Sequence, residues 1–170
     1  MKLNLGCNTR IIPGYTNVDF TAYPGVDIVT DVSKLPMIAD SSYEVIRASH
    51  ILEHFRHWDV KRVLDEWHRV LAPSGLLYIS VPSWERAIEI YQMGGLQEWL
   101  IYFMYGDQKE EGSYHYNNFD FPRLKIWLEG SGFKEIAEIN YFPDSLNNEA
   151  NQLVSTIDNK SISLNVVCTK

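Results

Sequence analysis

The sequence predicts one α/β domain built on an open, doubly wound, mostly parallel sheet, and three observations carry that expectation. The stretch KLNLGCN over residues 2–8 reads as a short buried strand running straight into a glycine turn. Leu3 and Leu5 supply its apolar side chains, and Gly6 permits a backbone conformation or a ligand approach that a side chain would obstruct. The next two apolar segments each finish on an acid, Asp19 and Asp31. A helical stripe over residues 60–71 is then followed by another apolar strand at 76–81. A strand ending in a tight turn is how an open α/β sheet presents a nucleotide-like ligand to the carboxyl ends of its strands.

The chain has 170 residues, 45% hydrophobic and 13% aromatic, enough for one well-buried core and too few for two ordinary domains. A single domain over residues 1–170 is expected. The formal charge is 15 minus 22, or −7, with a pI near 5.2, and Lys and Arg form no stripe. Nucleic acid is therefore a poor candidate partner. Residues 1–8 hold no apolar leader core, and the longest apolar run, 99–105, is far below the roughly 20 residues that span a bilayer. No membrane association and a cytoplasmic location are expected. Cys7 and Cys168 make neither a disulfide framework nor a CxxC metal pair, so both thiols are expected to be reduced.

Only seven residues, 9–15, separate the first turn from the second apolar segment, 16–20. Parallel strands normally need about a dozen connecting residues, so a single helical turn or an irregular loop is predicted, closed by Pro13 and Gly14. A dinucleotide fold sets its pyrophosphate on the N-terminus of a full helix at this point; a ligand without phosphates fits the short link better. Asp19, ending the second strand, can accept hydrogen bonds from both hydroxyls of a ribose. Pro24 and Gly25 turn the chain into a third strand over 26–32, a fourth covers 43–49, and a loop or helix begins over 51–55. Val60, Val63, Leu64, Trp67, Val70 and Leu71 recur at the spacing of one helical face, stopped by Pro73, Ser74 and Gly75. That stripe is read as core, and Glu66 with Arg69 as a surface i, i+3 pair.

Beyond Pro82, Ser83 caps a helix bearing Ala87, Ile88 and Tyr91, Gly94 and Gly95 break it, and a second helix carries Leu96, Trp99, Leu100 and Phe103. Residues 106–118 are polar and glycine-punctuated, which suits a mobile lid or a surface loop. Pro122 starts a helix with Leu124, Trp127 and Leu128 on one face, ended by Gly130 and Gly132. Residues 133–142 and 162–169 read as the final strands. The connection 143–160 is long and Asn-rich, with Leu153, Val154 and Ile157 as apolar anchors; a short helix, a partner contact and a mobile loop are all compatible with it.

The series LNLGCN, NVDF, DVSKLP, SSYEVIRASHILEHF and EWHRVLAPSGLLYISVP, in that order, with a weaker echo in FDFPRLKIWLEGSGF, resembles the class I S-adenosylmethionine-dependent methyltransferases, in particular the small type-11 group. The resemblance implies a seven-stranded Rossmann-like sheet with an antiparallel edge at its C-terminal end, S-adenosylmethionine as cofactor, and residues 82–121 as acceptor-site cover and lid. It also implies roles. Backbone around Gly6, Cys7 and Asn8 faces the methionine portion, with Asn4 where many relatives carry an acid. Asp19, with Phe20 beside it, takes the ribose diol. Asp31 accepts from the adenine amino group, the Val32 N–H meets a ring nitrogen, and Leu35 packs on the ring. Ser49 and His50 border the methionine end and the sulfonium, while Tyr91, Trp99 and Tyr102 in the cover are candidate acceptor-pocket residues, joined by His115 on the lid.

Two departures stand out. The second glycine of the family's turn is Asn8, and Asn is the residue that best tolerates a left-handed conformation. The first crossover and any helix before the first strand are reduced, which leaves one sheet face underdressed and predicts a self-association surface.

Methyl transfer is an in-line displacement with a good leaving group, so positioning and water exclusion supply most of the rate, and a base is needed only when the acceptor must lose a proton. Histidine suits that task near neutral pH. His50 and His54 in HILEH are expected to share a helical face at the mouth of the site, with His115 as a third candidate. HxxxH also resembles a metal pair, but Glu53 lies at the wrong offset for HExxH, and no metal is predicted. The resulting reading is a methyltransferase acting on a small molecule, a sugar or other hydroxyl or amine acceptor. A methyltransferase-like binding protein without turnover is the alternative, motivated by Asn8. An NAD-dependent oxidoreductase is disfavoured by the short crossover.

Overall fold

Short Leu-, Val- and Ile-rich strands joined by polar links condense into one sheet in the computed structural model. Its described residues are 1–94, 97–109, 111–143 and 161–170, with the side chains of 97–99 and 111 outside the description. The strands are β1 (Lys2–Leu5), β2 (Thr16–Asp19), β3 (Ile28–Val29), β4 (Tyr43–Ser49), β5 (Leu71–Pro82), β6 (Lys134–Ile139) and β7 (Ser163–Thr169). They lie in the order β3-β2-β1-β4-β5-β7-β6. The pairs from β3 to β5 are parallel, and β7 runs antiparallel between β5 and β6. The strand order reverses between β1 and β4, the switch point where open α/β sheets hold ligands. The predicted α/β class, the mostly parallel sheet and the antiparallel C-terminal edge are all present. No helix among the described residues is long and apolar enough to cross a membrane.

Four helices are described: α1 (Val60–Val70), α2 (Trp84–Gln92), α3 (Gln97–Tyr105) and α4 (Phe121–Gly130). The α1 stripe of Val60, Val63, Leu64, Trp67 and Val70 is fully buried with Leu3, Leu5, Ile46, Leu77 and Ile79 of the sheet, and α4 adds Leu124 and Leu128. Full burial of each such side chain is worth about 1.5–3 kcal/mol relative to exposure, so this face supplies most of the driving force. Ser83 caps α2 as expected, its Oγ accepting from the Arg86 N–H. Asp120 does the same for α4 through the Arg123 N–H at 2.7 Å.

The alternate side chains of the same strands point the other way, and at the centre of the sheet they are polar. Asn17, Asn4 and Arg47 are neighbours across β2, β1 and β4. Asn4 Nδ2 donates to Asn17 Oδ1 at 2.9 Å, and Arg47 Nη1 donates to Asn4 Oδ1 at 2.9 Å. The same amides replace a crossover helix. Asn4 Nδ2 donates to the Arg10 carbonyl and Asn17 Oδ1 accepts from the Ile12 N–H, so the helix-free link between β1 and β2 is fastened to the sheet by side chains. This row is buried and polar.

Three expectations are corrected here. The third strand is two residues long rather than spanning 26–32. Asp27 turns its carboxylate onto the Asn17 N–H at 2.7 Å, and Asp31 opens a turn by accepting from the Ser33 N–H, so both ends leave the ladder. β5 starts at Leu71, opposite Tyr43; pairing then jumps to Val45 opposite Leu76, with Ser74 at φ 60° in the bulge. Glu66 and Arg69 are more than a surface pair. Arg69 donates to both Glu66 oxygens and to the carbonyls of Leu35 and Ile38, and Glu66 Oε1 accepts from the Leu35 N–H. Leu96, expected on the second helix of the cover, and residues 144–160 lie outside the described residues.

Candidate functional site

The carboxyl ends of β1, β2 and β4 open into a cavity of about 630 Å³, within the roughly 300–1,000 Å³ typical of small-molecule sites. Its first wall is the turn after β1. Gly6 has φ 62°, and a Cβ there would stand 1.8 Å from Ile51 Cδ1, so any side chain would have to displace Ile51 and adopt a backbone conformation that favours glycine. Asn8 has φ 48°, the left-handed conformation expected of the residue standing in for a second glycine. The Asn8 N–H donates to Asp19 Oδ2 at 2.8 Å and the Thr21 N–H to Asp19 Oδ1 at 2.9 Å. Backbone from two strand ends therefore fixes this buried carboxylate, and each oxygen retains a lone pair for a ligand. Burial, reinforced by the Asp19 charge, pushes the Cys7 thiol up to about 11. Arg47 reaches the cavity from below; burial, with the Arg10 charge adding to it, lowers its guanidinium to about 10, and it stays cationic at neutral pH.

The second wall follows β3 and is held by α1. Asp31 is exposed at the cavity edge, and its Oδ1 is engaged by the Ser33 N–H at 2.8 Å. Val32 lines the cavity, and its carbonyl accepts from Trp67 Nε1 at 2.9 Å. The Leu35 side chain is fully buried in the core and, like Asn4, does not line the cavity. Both sit one layer beneath the positions the sequence reading assigns them. The Arg69 hydrogen bonds hold the Glu66 carboxyl below its usual range, against the opposing effect of burial, so this anchor is ionised at neutral pH.

The third wall is the end of β4. Ser49 borders the cavity, and its buried Oγ has no hydrogen-bond partner among the described residues. His50, at φ 54°, turns the chain out of the sheet, and Leu52–His54 form one 3₁₀ turn. The expectation that His50 and His54 share a helical face is therefore corrected: both line the cavity, but they face different partners. His50 Nε2 lies 3.0 Å from Ser163 Oγ and its Nδ1 3.1 Å from Glu53 Oε1. His54 Nδ1 donates to the Tyr114 carbonyl at 3.0 Å. Glu53 is completely buried. Burial would raise its carboxyl, but the His50 contact, with His54 and His115 nearby, holds it below the ordinary range.

The cover closes over this wall. Gly106, at φ 77°, bridges Tyr114, and a Cβ there would meet the Ser113 carbonyl at 1.8 Å. The loop is thereby pinched shut, and Gly112 and Ser113 complete the cavity beside Phe20. The Tyr116 and Asn117 N–H groups donate to the Glu53 carbonyl, tying cover to wall. His115 lies behind the cavity lining, its Nδ1 donating to the Phe103 carbonyl at 2.9 Å and its ring set edge-on to His54. Burial lowers its imidazolium stability. Tyr91 belongs to a separate shallow groove with Leu100 and Met104, Tyr102 is exposed and lines neither, and the Trp99 side chain lies outside the described residues. Arg10, Tyr23, Arg47, Ile51 and Phe55 line the cavity without having been singled out. Of these, only Arg47 carried a signal, a charge in the middle of the apolar strand YEVIRAS.

A methyltransferase-domain family model matches residues 13–79, which leaves the first strand and its turn outside the matched segment. No curated protein matches the sequence. Among solved structures, an S-adenosylmethionine-dependent methyltransferase from Methanosarcina mazei is 18% identical with a TM-score of 0.64, over 99% of this chain and 91% of that one. One from Archaeoglobus fulgidus is 14% identical with a TM-score of 0.62, over 99% and 85%. The 1,6-didemethyltoxoflavin-N1-methyltransferase of Burkholderia thailandensis, solved with that compound and S-adenosylhomocysteine bound, is 14% identical with a TM-score of 0.59, over 99% and 70%. At such identities the structural likeness establishes the fold. By that fold, by the methyltransferase-domain match over residues 13–79 and by the ordered motifs, the chain is similar to the class I S-adenosylmethionine-dependent methyltransferases.

Proposed function

We propose that the cavity binds S-adenosylmethionine along its first two walls and passes the methyl group to a small hydroxyl- or amine-bearing acceptor, sugars among them, held toward the cover. The observation that carries this reading is the buried Asp19 carboxylate, fixed by two backbone N–H groups at the end of β2 beside a turn with no helix to cradle phosphate. A ribose diol meets Asp19, the methionine portion meets the backbone at Gly6 to Asn8, and adenine lies between Phe20, Asp31 and Val32. His50, oriented by Glu53 and Ser163, is the base for an acceptor that must lose a proton; positioning within the cavity supplies the rest.

Calorimetric titration with S-adenosylmethionine and S-adenosylhomocysteine, with NAD as control, tests the cofactor assignment. Binding of the two sulfur ligands alone is expected, and Asp19→Ala should weaken it by about 1–3 kcal/mol through the unpaired diol. An unchanged affinity in that variant would defeat the ribose assignment. A screen of small hydroxyl and amine compounds with labelled methyl donor then reads the acceptor class.

A further inference from the structure

We infer that Glu53, His54 and His115 form a binding site for a divalent transition-metal ion, Zn²⁺ or a first-row neighbour. One ligand atom from each of the three lies within 4.8 Å of the others. Tetrahedral ligands about 2.1 Å from an ion sit roughly 3.3 Å apart, so small side-chain rotations close the set. The chemistry of each group is already that of a ligand. His54 Nδ1 and His115 Nδ1 both face backbone carbonyls, Tyr114 and Phe103. A carbonyl can only accept, so each Nδ1 carries the proton and each Nε2 presents its lone pair. Metal-bound histidines are oriented by this kind of outer contact. Glu53 is completely buried, and neither carboxylate oxygen is hydrogen-bonded among the described residues, with only the ion-pair contact of His50 Nδ1 at 3.1 Å. A buried carboxylate faced by a single imidazole is costly to desolvate, and a cation beside it would offset that cost. Two imidazoles and one carboxylate suit Zn²⁺, Mn²⁺, Co²⁺ or Ni²⁺ better than Ca²⁺ or Mg²⁺.

The three residues come from the turn after β4 and from the cover, and His54 also lines the cavity. The ion would therefore pin the cover to the cavity wall. Resting on the methyl-transfer reading, its role would be to hold the cover in place beside the acceptor side of the cavity.

The test is calorimetric titration of chelator-treated full chain with Zn²⁺, and visible spectroscopy with Co²⁺, each without S-adenosylmethionine. Expected is about one equivalent of metal with ligand-field bands for Co²⁺. In His115→Ala and His54→Ala, affinity should fall about a hundredfold or more, since even outer-shell losses cost 10–100-fold; thermal melts confirm that both variants fold. No binding by the native chain, or binding unchanged in both folded variants, overturns the site. Titration of the metal-free protein with S-adenosylmethionine separates the two readings: cofactor binding without metal binding sinks only the metal site, and metal binding without cofactor binding sinks only the proposed function.

Discussion

The two faces of the sheet are built from the same strands by opposite means. On one, Leu3, Leu5, Ile46, Leu77 and Ile79 pack under α1 and α4. On the other, Asn17, Asn4 and Arg47 form a hydrogen-bonded row that holds a loop where a helix would ordinarily lie. The first face gains stability from area, without direction. The second gains position, because each amide fixes a particular carbonyl or N–H of the loop that follows the cofactor turn. Loss of a helix from an α/β fold is thus compatible with a formed cavity when the exposed strands carry polar side chains that take over its backbone-binding role.

Truncation on the apolar face should have the largest effect. Trp67→Ala empties a fully buried position and removes the donor to the Val32 carbonyl; about 3–5 kcal/mol of stability should be lost, read by urea unfolding. Trp67→Phe sharpens the point. It keeps most of the packing and loses only the donor, so stability should fall by about 1–3 kcal/mol while S-adenosylmethionine affinity falls with the loosened Val32. Equal losses in the two variants would mean that the indole N–H, not the buried area, dominates.

On the polar face, Asn4→Leu removes the Asn4 acceptor from Arg47 and the Asn4 donor from the Arg10 carbonyl. The stability cost is about 1–3 kcal/mol, with a local signature: amide exchange over residues 9–15 should accelerate more than in the Trp67 variants. Uniform acceleration across the sheet would show that the row does not act locally.

Glu66 links the two sides of the comparison, a helix residue whose task is positional. Its carboxyl titrates below 4.5 in the folded protein, so the native state binds its proton less readily than the unfolded chain. That contribution is complete above about pH 4.5 and disappears as pH falls through the lower native value. Glu66→Gln should therefore be less stable than the native chain by about 1–2 kcal/mol at pH 7, and the gap should shrink at pH below 4.5. A gap independent of pH would remove the charge from the explanation.

The strands, α1 and the acids at strand ends were legible because periodicity and turn residues are local signals. Val60 to Val70 declares its face through spacing alone, and Asp19 follows directly from the apolar run before it. Leu35 and Asn4 were misplaced by one layer because depth below a cavity is a tertiary quantity, set by Trp67 and Glu66 reaching back over some thirty residues. The cover was the least legible. Tyr91 and Tyr102 share the aromatic character of a pocket, yet they face outward, and it is the plain Gly112 that meets Phe20. The Glu53–His54–His115 grouping was not legible for the same reason, since His115 stands some sixty residues beyond the other two and meets them only through the fold of the cover.

The smallest expected effect concerns Cys7, which lies in the glycine turn after β1, between the two faces. Its thiol, pushed up to about 11 from 9.0 by burial and the Asp19 charge, is almost wholly protonated at pH 8. The thiolate is the reactive form, so alkylation should run roughly a hundredfold slower than for a free cysteine. Cys168, pushed up to about 12 by burial within the core, should be slower still. S-adenosylhomocysteine should slow Cys7 further and leave Cys168 unchanged, because only Cys7 lines the cavity. Mass-spectrometric counting of alkylated sites over time, with and without the ligand, separates the two thiols. Equal protection of both would indicate global stiffening rather than occupancy of the turn, and no protection of Cys7 would move the ligand away from the backbone at Gly6.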